Sequence, residues 1–169
     1  MSGAGEVDLS QARPWPRGRG YHEFEEGDEF AHHWGRTITE ADAVLFSTMT
    51  LATNPLYLNA EYARAKGHPG LVVDPYLVLS LVVGLSVEDL SELSTAFLGM
   101  DDVEFTTPVY PGDTITAHST VIAKRRSRSK PHNGIVSWRT VGRAQDGREV
   151  ISLVRANLFD AGAPDAAER

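Results

Sequence analysis

The stretch "DPYLVLSLVVGL", residues 74–85, constrains the fold of this chain more than any other. An Asp before a Pro is a strong helix start. The carboxylate can accept an unpaired N–H of the first turn, and a proline in the first helical position gives up no hydrogen bond. Val78, Leu79, Leu81, Val82 and Leu85 then place apolar side chains on nearly every side of the helix. A helix that is apolar all round has to be enclosed. The remainder of the chain must therefore provide a large apolar surface to wrap it.

The second half provides strands. From residue 94 the pattern changes to "STAFLGMDDVEF", "TITAHSTVIAKRR", "GIVSWRTVGRA" and "VISLVRANLF", which read as three or four antiparallel strands. The turns between them are marked by Pro111-Gly112-Asp113 and by Asp146-Gly147, the strongest short hairpin signal present. "FAHHWGRT" (30–37) adds one early strand. One long buried helix and a curved antiparallel sheet make an α+β arrangement. A sheet wrapped around a central helix is the hotdog architecture.

Before the central helix the pattern is helical. Thr39 with Asp42 three residues on begins a capping-box-like helix carrying Ala43, Leu45, Phe46 and Met49 on one stripe, and Pro55 is expected to end it. Asn59 and Gly67 punctuate a second, short helix, "NAEYARAKG". Residues 1–20 read as a mobile Gly/Pro/Arg-rich arm, 21–160 as one domain and 161–169 as a tail.

Composition narrows the chemistry. With 23 acidic against 16 basic side chains and a net charge of −7, the chain lacks the basic footprint of a nucleic-acid binder. There is no cysteine, which excludes disulfides and thiolate chemistry. Together with an N-terminus that has no apolar leader, this fits a reducing cytoplasm. No apolar run is long enough for a bilayer, which takes about 20 residues. The six histidines show no metal-ligand spacing, so no metal is expected.

The segments "RTITEADAVLFSTMTLATNPLYLNAEYA", "LVVGLSVEDLS", "LGMDDVEFTTPVYPGDTI" and "KRRSRSKPHNGIV", in that order, resemble the MaoC-like hydratases and dehydratases. The resemblance is strongest to the branch that contains mesaconyl-CoA hydratase (β-methylmalyl-CoA dehydratase), and it covers about residues 22–159. It implies a hotdog homodimer or higher homo-oligomer that acts on an acyl-CoA or acyl-carrier thioester. CoA or phosphopantetheine enters only as part of the substrate, without a separate cofactor. It further implies addition of water to a short branched or dicarboxylic 2-enoyl thioester, or the reverse. That chemistry needs a base, an acid and a donor for the enolate-like oxygen. Backbone N–H groups at the start of the central helix suit the last role.

The proton-moving residues are where the chain departs. The family loop has the form Asp-x-Asn-Pro-x-His, but here those positions are Ala52, Thr53, Asn54, Pro55, Leu56 and Tyr57. Ala52 moves no proton, and a tyrosine, with its ordinary pKa of about 10, is a donor near neutral pH. Tyr57 and Asp74 are thus the candidate replacements, with Asn54 and Thr53 as possible ligands to substrate or water. Each has a plainer reading: Asp74 as helix cap, Asn54 as turn residue, Tyr57 as a packed aromatic. His68, just past the short helix, is a candidate to enter the pocket, although an isolated histidine is more often a surface or packing residue. Arg125, Arg126, Ser127, Arg128 and Lys130 of "KRRSRSK" suit a phosphate-bearing ligand such as CoA, with Tyr76 beside the substrate, although a charge run is more plainly a solvated strand end and turn. The competing reading is a hotdog protein without hydratase activity that binds an acyl thioester or catalyses another biosynthetic step.

Overall fold

The computed structural model describes residues 17–163. A single 3-10 turn (Tyr21–Glu23) comes first, followed by two short strands, β1 (Glu29–Ala31) and β2 (Arg36–Thr37). Helices α1 (Glu40–Met49), α2 (Pro55–Leu58), α3 (Ala60–Ala65), α4 (Pro75–Leu85) and α5 (Val87–Leu90) follow. The long strands are β3 (Ala96–Phe105), β4 (Thr114–Arg126), β5 (Asn133–Ala144) and β6 (Glu149–Asp160). They form one antiparallel sheet in the order β1-β4-β5-β6-β3, with β2 also paired to β4. This is the expected α+β arrangement.

Two local expectations change. "FAHHWGRT" is not one strand, because the chain leaves β4 between Ala31 and Arg36 while His32 turns into the interior. Helix α1 stops well before Pro55. The Thr48 and Thr50 hydroxyls donate back to the Val44 and Phe46 carbonyls, and Leu51 takes a left-handed φ of 58°. Pro55 instead begins α2.

Helix α4 lies on the sheet along Val78 and Val82, both essentially inaccessible. It packs tightly over Gly142 of β5, where an added Cβ would sit 2.6 Å from Val82 Cγ2 and 2.8 Å from Ile151 Cγ2. A side chain there would lift the helix. Ile115, Ala117, Ile151 and Leu153 complete this core. A second core, Tyr21, Phe24, Leu90, Val121, Trp138 and Phe159, fills the far end of the sheet. The enclosure of α4 is one-sided, however. Tyr76, Ser80 and Gly84, spaced four apart, face outward, and Tyr76 is 65% exposed. One sheet covers one side of a helix, and this stripe is left outside that contact.

Between the two cores a polar row crosses the inner face of the sheet. His32, 5% exposed, is tied at Nδ1 to the Asp89 carboxylate (2.6 Å) and at Nε2 to Ser119 Oγ (2.9 Å), which meets Thr140 Oγ1 (2.8 Å). Beside them Arg155, 2% exposed, donates to Ser86 Oγ (2.8 Å) and lies over the Trp138 ring. Burial lowers its pKa to about 10, so it remains a cation at neutral pH. These bonds fasten α5 and the β1–β2 connection to the sheet.

The ends of the domain are better anchored than their composition suggests. Arg17 pairs with Glu88 (3.6 Å), and Arg19 lies over the Phe30 ring. Ala161 is buried, and Arg126 donates to the carbonyls of Ala161 (2.8 Å) and Gly162 (3.0 Å). The remainder of the expected arm and tail, 1–16 and 164–169, lies outside the described residues.

Burial outweighs the Asp89 carboxylate and lowers the pKa of His32 below its ordinary 6.5. In the window below that value the unfolded chain binds a proton that the folded chain refuses. The contribution of His32 to stability is therefore present above about pH 6.5 and is lost as pH falls through its depressed pKa. Urea unfolding of the parent at pH 7, 6 and 5 should show stability falling with pH, more steeply than in His32→Gln.

Candidate active site

Because β3 and β4 lie at opposite sides of β6 and β5, the connection 106–113 must cross the strand ends, and it does so next to the start of α4. Val73 N–H donates to Val109 O (2.9 Å), and Val72 N–H to Leu56 O (3.0 Å). These bonds hold the segment before α4 between the crossing loop and α2. Thr106 and Thr107 both donate to Glu149 O, and Arg148 donates to Pro108 O (2.7 Å). Among these pieces is a cavity of about 280 Å³, walled mainly by Leu56, Val73, Val78, Phe105, Val109 and Val150. Its ionisable lining side chains are two, Tyr57 and His68.

Tyr57 stands on α2, and Pro55 in the first position of that helix sets its direction. Burial, then the nearby Asp74 carboxylate and Tyr76, push its hydroxyl above the ordinary value of 10. It is therefore a protonated donor throughout the neutral range. His68 arrives by a different route. Gly67 takes a left-handed φ of 90°, and the N–H groups of His68 and Gly67 bond back to Ala63 O (3.1 Å) and Arg64 O (3.0 Å). This paired closure ends α3 and turns the chain toward the cavity. His68 Nδ1 then lies 3.0 Å from Tyr110 Oη on the crossing loop.

That loop is fixed from behind. The Asp113 carboxylate accepts from Tyr110 N–H (2.9 Å), from Gln145 Nε2 (3.1 Å) and from Arg148. These bonds outweigh the burial of Asp113 and hold its pKa below the ordinary carboxylate value. Pro111-Gly112-Asp113, a turn signal in the sequence, is thus part of the cavity wall's support.

Other expected site residues are placed differently. Asp74 is 2% exposed and its Oδ1 accepts from Tyr76 N–H (2.8 Å). It neighbours Tyr57 but serves the helix as a cap rather than lining the cavity. Asn54 does the same for α2, accepting from Leu56 N–H (3.0 Å). The two Asx-Pro starts share a backbone geometry, φ −59°, ψ 129° and φ −56°, ψ 126°. Thr53 is exposed and does not line the cavity. Tyr76 is outside the cavity but packs edge-on against Phe105, which lines it.

The start of α4 also cannot serve as an oxyanion site. Pro75 has no N–H. Tyr76 N–H is taken by the Asp74 side chain, and Leu77 and Val78 N–H by the Asp74 carbonyl (3.0 and 3.3 Å).

The basic segment lies at the β4–β5 turn. Strand β6 runs from Glu149 beside the cavity to Asp160 beside that turn, roughly 35 Å at the usual strand rise. Within one chain, then, Arg125, Arg126, Ser127, Arg128 and Lys130 do not meet the cavity. Arg126 anchors the chain end, as above, and Ser127 is buried with its Oγ accepting from Lys130 N–H (3.3 Å). Arg125, Arg128 and Lys130 are exposed. Among the described residues no group of three or more His, Asp or Glu is placed to hold a metal ion, and no helix is long and apolar enough to cross a membrane.

The helix-wrapped sheet and the cavity at the head of α4 define a MaoC-like hotdog protein. A MaoC domain protein of Chloroflexus aurantiacus superposes with a TM-score of 0.81 at 30% identity, over 88% of this chain and 43% of that one. A Mycobacterium tuberculosis protein described as having a double hotdog fold superposes at 0.74 and 22% identity, over 88% of this chain and 46% of that one. The sequence model of the mesaconyl-CoA hydratase family matches residues 6–168, and this chain belongs to that family. The mesaconyl-CoA hydratase of Haloarcula hispanica is 37% identical over 161 residues, 95% of this chain but 45% of that relative. The chain thus spans less than half the length of that relative.

If Asp74 is a cap rather than a base, Asp74→Asn should retain any enoyl-CoA hydration activity of the parent within about threefold, because an amide oxygen caps as well. Asp74→Ala should lose about 1 kcal/mol of stability in urea unfolding.

Proposed function

We propose that this chain is an acyl-CoA hydratase or dehydratase that interconverts a 2-enoyl and a 3-hydroxyacyl thioester in the Tyr57–His68 cavity. The observation that carries this reading is the cavity itself: an apolar chamber at the head of the central helix, lined by an imidazole and by a tyrosine hydroxyl held as a donor. Membership of the mesaconyl-CoA hydratase family supports the reaction class.

Within short branched or dicarboxylic thioesters, the lining favours the uncharged branched ones. None of the residues lining the cavity is Lys or Arg. A second carboxylate on the acyl group would be buried without a counter-charge, which costs several kcal/mol in effective terms. A panel of crotonyl-, tiglyl- and mesaconyl-CoA, followed at the enoyl thioester absorbance, should show kcat/KM for the uncharged substrates at least tenfold above mesaconyl-CoA. The opposite order would reject this specificity, and no turnover of any of them would reject the hydratase reading.

The reading includes a second copy of the chain. The outer face of α4 and the solvent edge of β3, with Phe97 and Leu98 about half exposed, form apolar surface of the kind that pairs. Relatives of twice the length hold space for a second unit in one polypeptide. Analytical ultracentrifugation should give a dimer or a multiple of it, and Ser80→Arg on the exposed stripe of α4 should shift it toward monomer. Any role of the exposed Arg125, Arg128 and Lys130 in holding the CoA phosphates then falls to a copy whose basic turn reaches the other's cavity.

One set of observations favours the alternative of a non-hydrating acyl-thioester binder. Ala52 stands where the loop's carboxylate would be, and the first turn of α4 has no N–H left for an oxyanion. Saturable binding of butyryl-CoA without turnover of any enoyl-CoA would favour it.

A further inference from the structure

We infer that His68 is the proton-moving residue of this site and that the Tyr57 hydroxyl supplies the hydrogen bond to the thioester oxygen that the start of α4 cannot. This rests on the hydratase reading above and assigns its roles. No residue of the Asp-x-Asn-Pro-x-His pattern performs the base function here, since those outer positions are Ala52 and Tyr57.

Three observations converge on His68. Both it and Tyr57 line the one apolar chamber, and they are its only ionisable lining groups. Its ring is oriented by Tyr110 through Nδ1 (3.0 Å), while Nε2 has no partner among the described residues. In the tautomer this role requires, Nδ1–H donates to the Tyr110 oxygen, so that Nε2 presents its lone pair. Tyr110 is itself held by Asp113 (2.9 Å), so the imidazole rests on a fixed wall rather than a loose loop. Histidine is also the side chain best suited to exchanging protons near neutral pH.

Tyr57 is assigned by elimination of donors. The negative charge that develops on the thioester oxygen needs a hydrogen bond in place before reaction. Pro75 and the Asp74 cap have consumed that capacity at the helix start. The Thr106 and Thr107 hydroxyls that also line the chamber donate to Glu149 O, which leaves the Tyr57 O–H, part-buried and kept protonated, as the side-chain donor besides His68.

The steps balance with one base. In hydration, Nε2 takes a proton from water as its oxygen bonds to Cβ of the enoyl group. The π electrons move to the Cα–C bond and the carbonyl pair to the thioester oxygen, giving an enolate held by the Tyr57 O–H. The imidazolium then returns its proton to Cα, and the C=O re-forms. The net change is H and OH added across the double bond, with neutral His68 regenerated; dehydration is the reverse. Tyr110 acts through His68 and is a positioning residue.

The test uses the full chain and the enoyl-CoA it turns over best. His68→Gln and Tyr57→Phe should each lower kcat by 10²-fold or more, in the range typical of a lost general base or oxyanion donor, with butyryl-CoA affinity within about threefold. Added imidazole should restore part of the activity of His68→Ala, which a purely structural role would not permit. Tyr110→Phe should lower kcat by about tenfold while butyryl-CoA affinity stays within about threefold, since it alters the orientation of the ring and not the chamber. Circular dichroism and butyryl-CoA binding verify that each variant is folded. An active parent with His68→Gln within threefold of it overturns this assignment and leaves the hydratase reading standing; an inactive parent overturns both.

Discussion

The fold depends on one constraint, that an almost wholly apolar helix must be taken out of water. Val78 and Val82 satisfy it on the sheet side, and Gly142 sets how closely the helix can approach. Burying a valine is worth about 1.5–3 kcal/mol, and the approach depends on a bare backbone at that point of β5. From this contact follow the position of the head of α4, the path of the loop that crosses beneath it and the cavity between them. The same constraint is met on one side only, and the stripe at Tyr76, Ser80 and Gly84 remains exposed.

The head of α4 shows how a local solution to a helix-start problem reshapes chemistry. Asp74-Pro75 gives a well-capped start in which the first-turn donors are absent or engaged within the chain. That is favourable for the helix and unfavourable for an oxyanion. The cavity then has to find its polar groups on other elements. It has them on α2, where a second Asx-Pro start presents Tyr57, and after α3, where the Gly67 closure presents His68. Three helix termini, each built by ordinary capping, converge on one chamber.

The polar row between the two cores is a different kind of constraint. His32, Ser119, Thr140, Arg155 and their partners replace apolar packing with directional bonds at the level where α4 ends and α5 begins. Removing a single partner from such a row leaves a buried polar group unsatisfied, at a cost of about 1–3 kcal/mol, so the row specifies register as well as stability. It lies in the body of the sheet and holds α5 and the β1–β2 connection in place.

The architecture is written in local pattern: the apolar helix, a strand-forming second half and the turns at Pro111-Gly112-Asp113 and Asp146-Gly147 appear where the pattern puts them, and the structure fixes the number of long strands at four. The caps at Thr39, Asn59 and Asp74 were legible for the same reason, because a cap is a contact between near neighbours. So was the loss of the loop's carboxylate and imidazole at Ala52 and Tyr57. The site itself was only half legible. Tyr57 could be named from its loop. The partnership of His68 with Tyr110 joins residues 42 apart, and the separation of the basic turn from the cavity depends on the length of β6. Whether Asp74 turns to its own helix or to a ligand is likewise a matter of side-chain direction. These were decided by tertiary structure, because each depends on where long-range packing carries a side chain and not on the pattern around it.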